Sequence, residues 1–125
     1  MITARPKPNE NAWLWLAKLV TGVLVFTVIL VHIIVNHLVA EGGLMSFADV
    51  VAYLSNPWIA FMESFFLVIV VTHSLLGTRS ILLDLNPRAG VLKTIDWGFS
   101  ILGVVSIVYG IWLIRTIVSY GGAGG

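Results

Sequence analysis

Polar and apolar positions divide the chain into three long apolar stretches joined by short polar connections. The first runs from about Ala12 to Ala40, with Lys18 as its only full charge. The second runs from Pro57 to about Leu85 and is interrupted by Glu63, His73 and Arg79. The third runs from about residue 95, through Trp97, to Val118, with Arg115 near its end. Each supplies roughly 20 apolar residues, about 30 Å of helix at ~1.5 Å per residue, which matches the hydrocarbon core of a bilayer. Backbone in lipid must satisfy its own hydrogen bonds, and runs this long and continuous do so as helices, not as barrel strands. The pattern predicts an all-α integral membrane protein: a bundle of three transmembrane helices at about 12–40, 57–85 and 95–118, in one domain covering 1–125.

The connections carry helix punctuation. Asn56 before Pro57 is a cap and first-turn pair that starts the second span. Asn86, Pro87 and Gly90 read as the turn after it, with Thr94 or Asp96 capping the third span. The first connection is longer. Ser46 with Asp49 resembles a capping box, and Phe47, Val50, Val51 and Leu54 follow at helical spacing on one face. A short amphipathic helix at about 46–54, lying on the outer interface, is expected. Gly121–Gly125 reads as a flexible tail.

Composition agrees with the bilayer as solvent. Of 125 residues, 58% are hydrophobic and 10% charged, against about a quarter charged in soluble domains. A net charge of +1 offers nothing to a nucleic acid, and no such partner is expected. With no cysteine, disulfide and thiolate chemistry are excluded from this chain. No signal peptide is expected, because the first apolar run is long and no small-residue cleavage site follows it.

Basic residues set the orientation. Arg5, Lys7 and Lys18 precede or enter the first span, and Arg79, Arg88 and Lys93 surround the second turn. Arg115 alone lies near the opposite side, and the first connection holds only the acidic Glu41 and Asp49. By the positive-inside rule the protein is multi-pass in the cytoplasmic (inner) membrane, its N-terminus cytoplasmic. Trp13, Trp15, Trp58 and Trp97 fall near span ends, where lipid-interface anchors belong.

Chemistry must come from polar groups at membrane depth, which are costly there and face a bundle interior or a cofactor. The first span offers His32, Asn36 and His37, and the second Glu63, Thr72, His73 and Arg79. In the third, Gly103, Ser106 and Gly110 form a stripe that suggests close helix packing. Two membrane-deep histidines with no paired carboxylate fit haem iron better than a bare metal site. His73 and His32 are the candidate axial ligands. His37 lies nearer the outer interface and is the weaker candidate, a partly solvated histidine bonding to water or headgroups. His32 falls roughly 20 Å from the inner boundary and His73 roughly 8 Å, at ~1.5 Å per residue. Axial ligands of one upright haem face each other across the iron, so these two should not share one. Each then needs a histidine from another chain, giving one or two haems. Glu63, near the outer end of its span, is expected to be a bundle-facing or interfacial carboxylate.

The segment from His73 through Gly77 and Arg79 to Asp84 reads H-x3-G-x-R-x4-D. It resembles the second helix of the membrane-anchor subunits of succinate dehydrogenase and fumarate reductase, hydrophobic cytochrome b subunits. Ser55-Asn56-Pro57-Trp58, and Gly22 ten residues before His32, are similar to that family too. The resemblance covers about residues 20–85. It implies that His73 ligates haem b and that Gly77 lets the helix approach the porphyrin. It also implies a quinone substrate bound near the inner boundary, where Arg79 suits a haem propionate or a quinone oxygen or snorkels as an anchor. Asp84 would pair with Arg79, join proton delivery to the quinone, or cap the helix. Some members carry a quinone-binding tyrosine after this aspartate, and Leu85 stands there here. The implied partners are membrane lipid, a second anchor subunit, an iron–sulfur subunit and a flavoprotein, docked on the cytoplasmic face. Two other readings stay open: a cytochrome b subunit of another quinone-linked complex, or a non-redox membrane protein such as a transporter half or assembly factor.

Overall fold

The computed structural model describes residues 11–39 and 46–123. It is helical in four pieces: α1 (Ala12–Ile33), α2 (Phe47–Leu54), α3 (Pro57–Leu83) and α4 (Ala89–Ala123). A π-helical turn over Ile34–Val39 extends α1. The helices α1, α3 and α4 are each long and apolar enough to cross a membrane. Arg5, Lys7 and Glu41, part of the orientation argument, lie outside the described residues, as does the side chain of Asn36.

Local sequence sets the helix starts. Asn11 caps α1 by accepting from the Trp13 N–H at 3.1 Å, and Asn56 caps α3 by accepting from the Trp58 N–H at 3.0 Å. Pro57 occupies the first turn of α3, where its missing N–H costs nothing. Ser46 and Asp49 form a reciprocal capping box on α2. Asn86, with φ of 50°, turns the chain after α3 in a left-handed conformation that asparagine tolerates.

Two expectations about helix bounds need correction, both on α4. The helix starts at Ala89, not near residue 95. Gly90, Thr94 and Asp96 therefore lie inside it, and Leu92 N–H already bonds to Arg88 O at 2.9 Å. A single glycine costs a helix about 1 kcal/mol, too little to stop one propagating out of the bilayer. At the other end α4 continues through Gly121, which packs on Val51 and Ser55 of α2; it is a contact point, not a loose tail. Its 35 residues make about 52 Å of helix, more than the ~30 Å hydrocarbon core.

The bundle is open. Helix α3 packs against both α1 and α4, whose backbones do not approach each other closely among the described residues. Helix α2 lies across the ends of α3 and α4. Its apolar face is turned to the protein: Leu54 is buried, and Phe47 packs edge-on against Tyr120 of α4. The α3–α4 seam uses the small-residue stripe. Gly103 lies under Leu75, where a Cβ would come within 2.9 Å of the leucine Cδ1, and Gly110 lies under Leu67. Only Leu54, Ile69, Leu83, Ser80 and Gly103 are buried among the described residues. Faces carrying Val23, Phe26, Val104 and Val108 stay exposed, as suits surfaces solvated by lipid or by other membrane helices.

Candidate functional site

The polar groups at membrane depth lie on the two seams of α3. On the α1 seam, His73 lies part-buried against Thr21 and Gly22. Its Nδ1 is 3.1 Å from Thr21 Oγ1. A Cβ on Gly22 would come within 3.1 Å of the ring's Cε1, so the absence of a side chain there lets the imidazole lie against α1. Gly77, one turn from His73 on the same face, has open space where a Cβ would stand. Towards the N-terminal end of α1, Lys18 Nζ donates to the buried Ser80 Oγ at 2.9 Å.

Farther along the same seam, towards the C-terminal end of α1, His32 Nδ1 is 3.1 Å from Glu63 Oε1. Tyr53, on α2, donates its hydroxyl to the same oxygen at 2.8 Å. The His32 ring also stacks on Phe66, centroids 5.8 Å apart. The expectation that neither histidine has a paired carboxylate is therefore wrong for His32. Antiparallel packing of α1 on α3 brings together residues 31 apart in the chain, a register that spacing does not reveal. Glu63 is only 15% exposed and His32 37%. These two and Tyr53 line an otherwise apolar cleft of about 540 Å³, walled by Phe66, Leu67 and Leu113. His37, on the π-helical turn, is exposed.

His73 sits at the level of Gly22 on α1, and His32 lies ten residues further along that helix, about 15 Å at ~1.5 Å per residue. The two histidines are not brought together. Among the described residues, no three His, Asp or Glu side chains gather into a metal-binding group.

On the α4 seam, Arg79 donates from Nε to Asp96 Oδ1 at 2.6 Å and from Nη2 to Asp96 Oδ2 at 3.3 Å. The sequence offers Thr94 or Asp96 as the cap of the third span, but both lie inside α4, where Asp96 turns towards α3 instead. Arg79 and Asp96 close one end of a cleft of about 510 Å³, lined further by Leu75, Phe99, Ser100 and Val104. Asp84 is the exposed C-terminal cap residue of α3, its N–H bonded to the carbonyls of Ile81 and Leu82.

These features define a multi-pass membrane protein whose ionisable residues are gathered along the helix seams. Residues 3–114 match the Succinate dehydrogenase/Fumarate reductase transmembrane subunit family, and the chain belongs to it. It is similar to the succinate dehydrogenase hydrophobic membrane anchor subunit of Archaeoglobus fulgidus, with 29% identity over 103 residues, 82% of this chain and 87% of the relative. It is also similar to the subunit of that name from Thermoplasma acidophilum, with 27% identity over 94 residues, 75% of this chain and 76% of the relative. No solved structure matches. The chain is thus a membrane anchor subunit of succinate dehydrogenase/fumarate reductase, associated with the membrane and with soluble catalytic subunits. Both other readings of the sequence give way to this membership.

Proposed function

We propose that this subunit holds haem b in the inner half of the membrane through His73 and helps to form a quinone site on the same side. His73 itself carries the reading. It is a membrane-deep imidazole seated on a glycine of the neighbouring helix, with a second glycine leaving open space one turn away. That donor chemistry fits haem iron. Bound there, haem supplies a one-electron carrier. His73 would hold the iron from this chain, and a further ligand would come from a second membrane anchor subunit packed on the open helix layer. Gly77 leaves room for the approach of a flat macrocycle.

Arg79 is the quinone-side candidate. A guanidinium carries five N–H bonds in a fixed fork, and the contacts with Asp96 hold it at the mouth of an apolar cleft. There it would polarise a quinone oxygen or meet a haem propionate, while the apolar walls suit a lipophilic tail. Asp84, exposed at the end of α3, is the carboxylate suited to passing protons to that quinone. His32, about 15 Å away along α1, is the candidate ligand for a second, outer haem, and His37 has the weakest claim. An iron–sulfur subunit and a flavoprotein dock on the cytoplasmic face and deliver electrons from succinate. The N-terminus is cytoplasmic and the C-terminus external; a C-terminal reporter active only in the cytoplasm would contradict this.

The test is the absorption spectrum of the complex purified with its partners. A b-type haem reducible by succinate is expected, lost in His73→Ala and retained in His37→Ala. A full complement of haem with unchanged potentials in His73→Ala would overturn the assignment.

A further inference from the structure

We infer that Thr21 is the positioning residue for His73: its hydroxyl sets the imidazole tautomer and directs Nε2 towards the metal. The inference rests on the reading of His73 as a haem ligand and deepens it. It follows from counting protons. Thr21 Oγ1 lies 2.7 Å from the Ala17 carbonyl oxygen and 3.2 Å from that of Lys18, besides 3.1 Å from His73 Nδ1. Both carbonyls can only accept, and a threonine hydroxyl has a single proton to give. Two oxygens 2.7 Å apart with no proton between them would repel, so the hydroxyl proton belongs to the Ala17 carbonyl. Towards His73 the oxygen then presents a lone pair, and Nδ1 must bring the hydrogen. In a neutral imidazole that leaves the ligating lone pair on Nε2.

The ring's position is fixed from the same helix. Thr21 holds Nδ1, and the next residue, Gly22, leaves space for Cε1. The hydroxyl's own bond to the preceding turn of α1 prevents it from rotating away. An Nδ1–H held by an acceptor also makes Nε2 a stronger donor, because the ring gains some imidazolate character. A more strongly donating axial ligand favours ferric over ferrous iron and so lowers the potential. Thr21 therefore acts on both retention and potential of the group that His73 binds, without touching it.

The experiment compares the whole complex carrying wild-type sequence, Thr21→Val, Thr21→Ser and His73→Ala. Haem content, haem loss to an apoglobin scavenger and midpoint potential are read on each. Valine keeps the shape of threonine and removes the hydroxyl. Thr21→Val should weaken haem retention by roughly tenfold or more, as loss of such an outer hydrogen bond typically does, and should raise the midpoint potential. Thr21→Ser should restore both. If Thr21→Val does not assemble, Thr21→Ala, smaller and also without a hydroxyl, is read in the same way. Wild-type retention and potential in the hydroxyl-free variant, while His73→Ala loses haem, would overturn the role of Thr21 alone. Haem kept unchanged in His73→Ala would instead remove the reading beneath it.

Discussion

The Arg79 guanidinium and the Asp96 carboxylate meet edge to edge, with contacts of 2.6 and 3.3 Å, and clamp α3 to α4. Arg79 is 12% exposed and Asp96 43%, so the pair lies between the surface and buried limits for ion pairs. Asp96→Ala strands a largely enclosed cation and should destabilise the assembled complex by about 1–3 kcal/mol. Exchanging the two residues, Arg79→Asp with Asp96→Arg, should recover part of the loss. Thermal denaturation in detergent measures both. An Asp96→Ala complex as stable as wild type would mean that water or headgroups satisfy Arg79.

Gly110 sits beneath Leu67, with no room for a Cβ unless the leucine moves. Gly110→Val should overpack the α3–α4 seam and cost about 1–3 kcal/mol. Adding Leu67→Ala should return part of that, since it opens the space the valine needs. The same thermal measurement detects the compensation. Additive losses in the double variant would show that the two sites do not share a contact.

Glu63 accepts from Tyr53 and faces His32 through a single oxygen, linking α1, α2 and α3. Tyr53→Phe removes one bond to a carboxylate and should cost about 1–2 kcal/mol. Glu63→Leu should cost more, because it leaves both the phenol and the imidazole facing an apolar side chain. A double-mutant cycle on unfolding of the purified complex tests their coupling. Zero coupling between Tyr53 and Glu63 would contradict a shared network.

Asp49 is held below the usual carboxylate range by the Ser46 side chain and, next, by the Ser46 backbone N–H. Its folded pKa is depressed, so its stabilisation of α2 is present above the ordinary carboxylate pKa. It is lost as pH falls through the lower, folded value. A spin label at Ala48 should therefore gain mobility as the pH is taken below about 4, and Asp49→Asn should be mobile across the range. Equal acid response in Asp49→Asn would assign the transition to another group.

The span pattern, the Asn56–Pro57 start and the Ser46–Asp49 box were legible in the linear order of residues. Each depends on interactions within a few positions of itself: local capping bonds, or the cost of placing a polar residue in lipid. The stripe of Gly103 and Gly110 was legible too, since residues seven apart share a helix face. Pairings across the seams were not legible. Thr21 with His73, His32 with Glu63 and Arg79 with Asp96 join residues 52, 31 and 17 apart. They depend on the register and rotation of whole helices against each other. Those are set by the sum of many contacts such as Leu67 on Gly110, none of which shows in any one segment. The reach of α4 was hidden for a related reason: glycines that read as breaks in isolation are carried through by a helix already paid for inside the membrane.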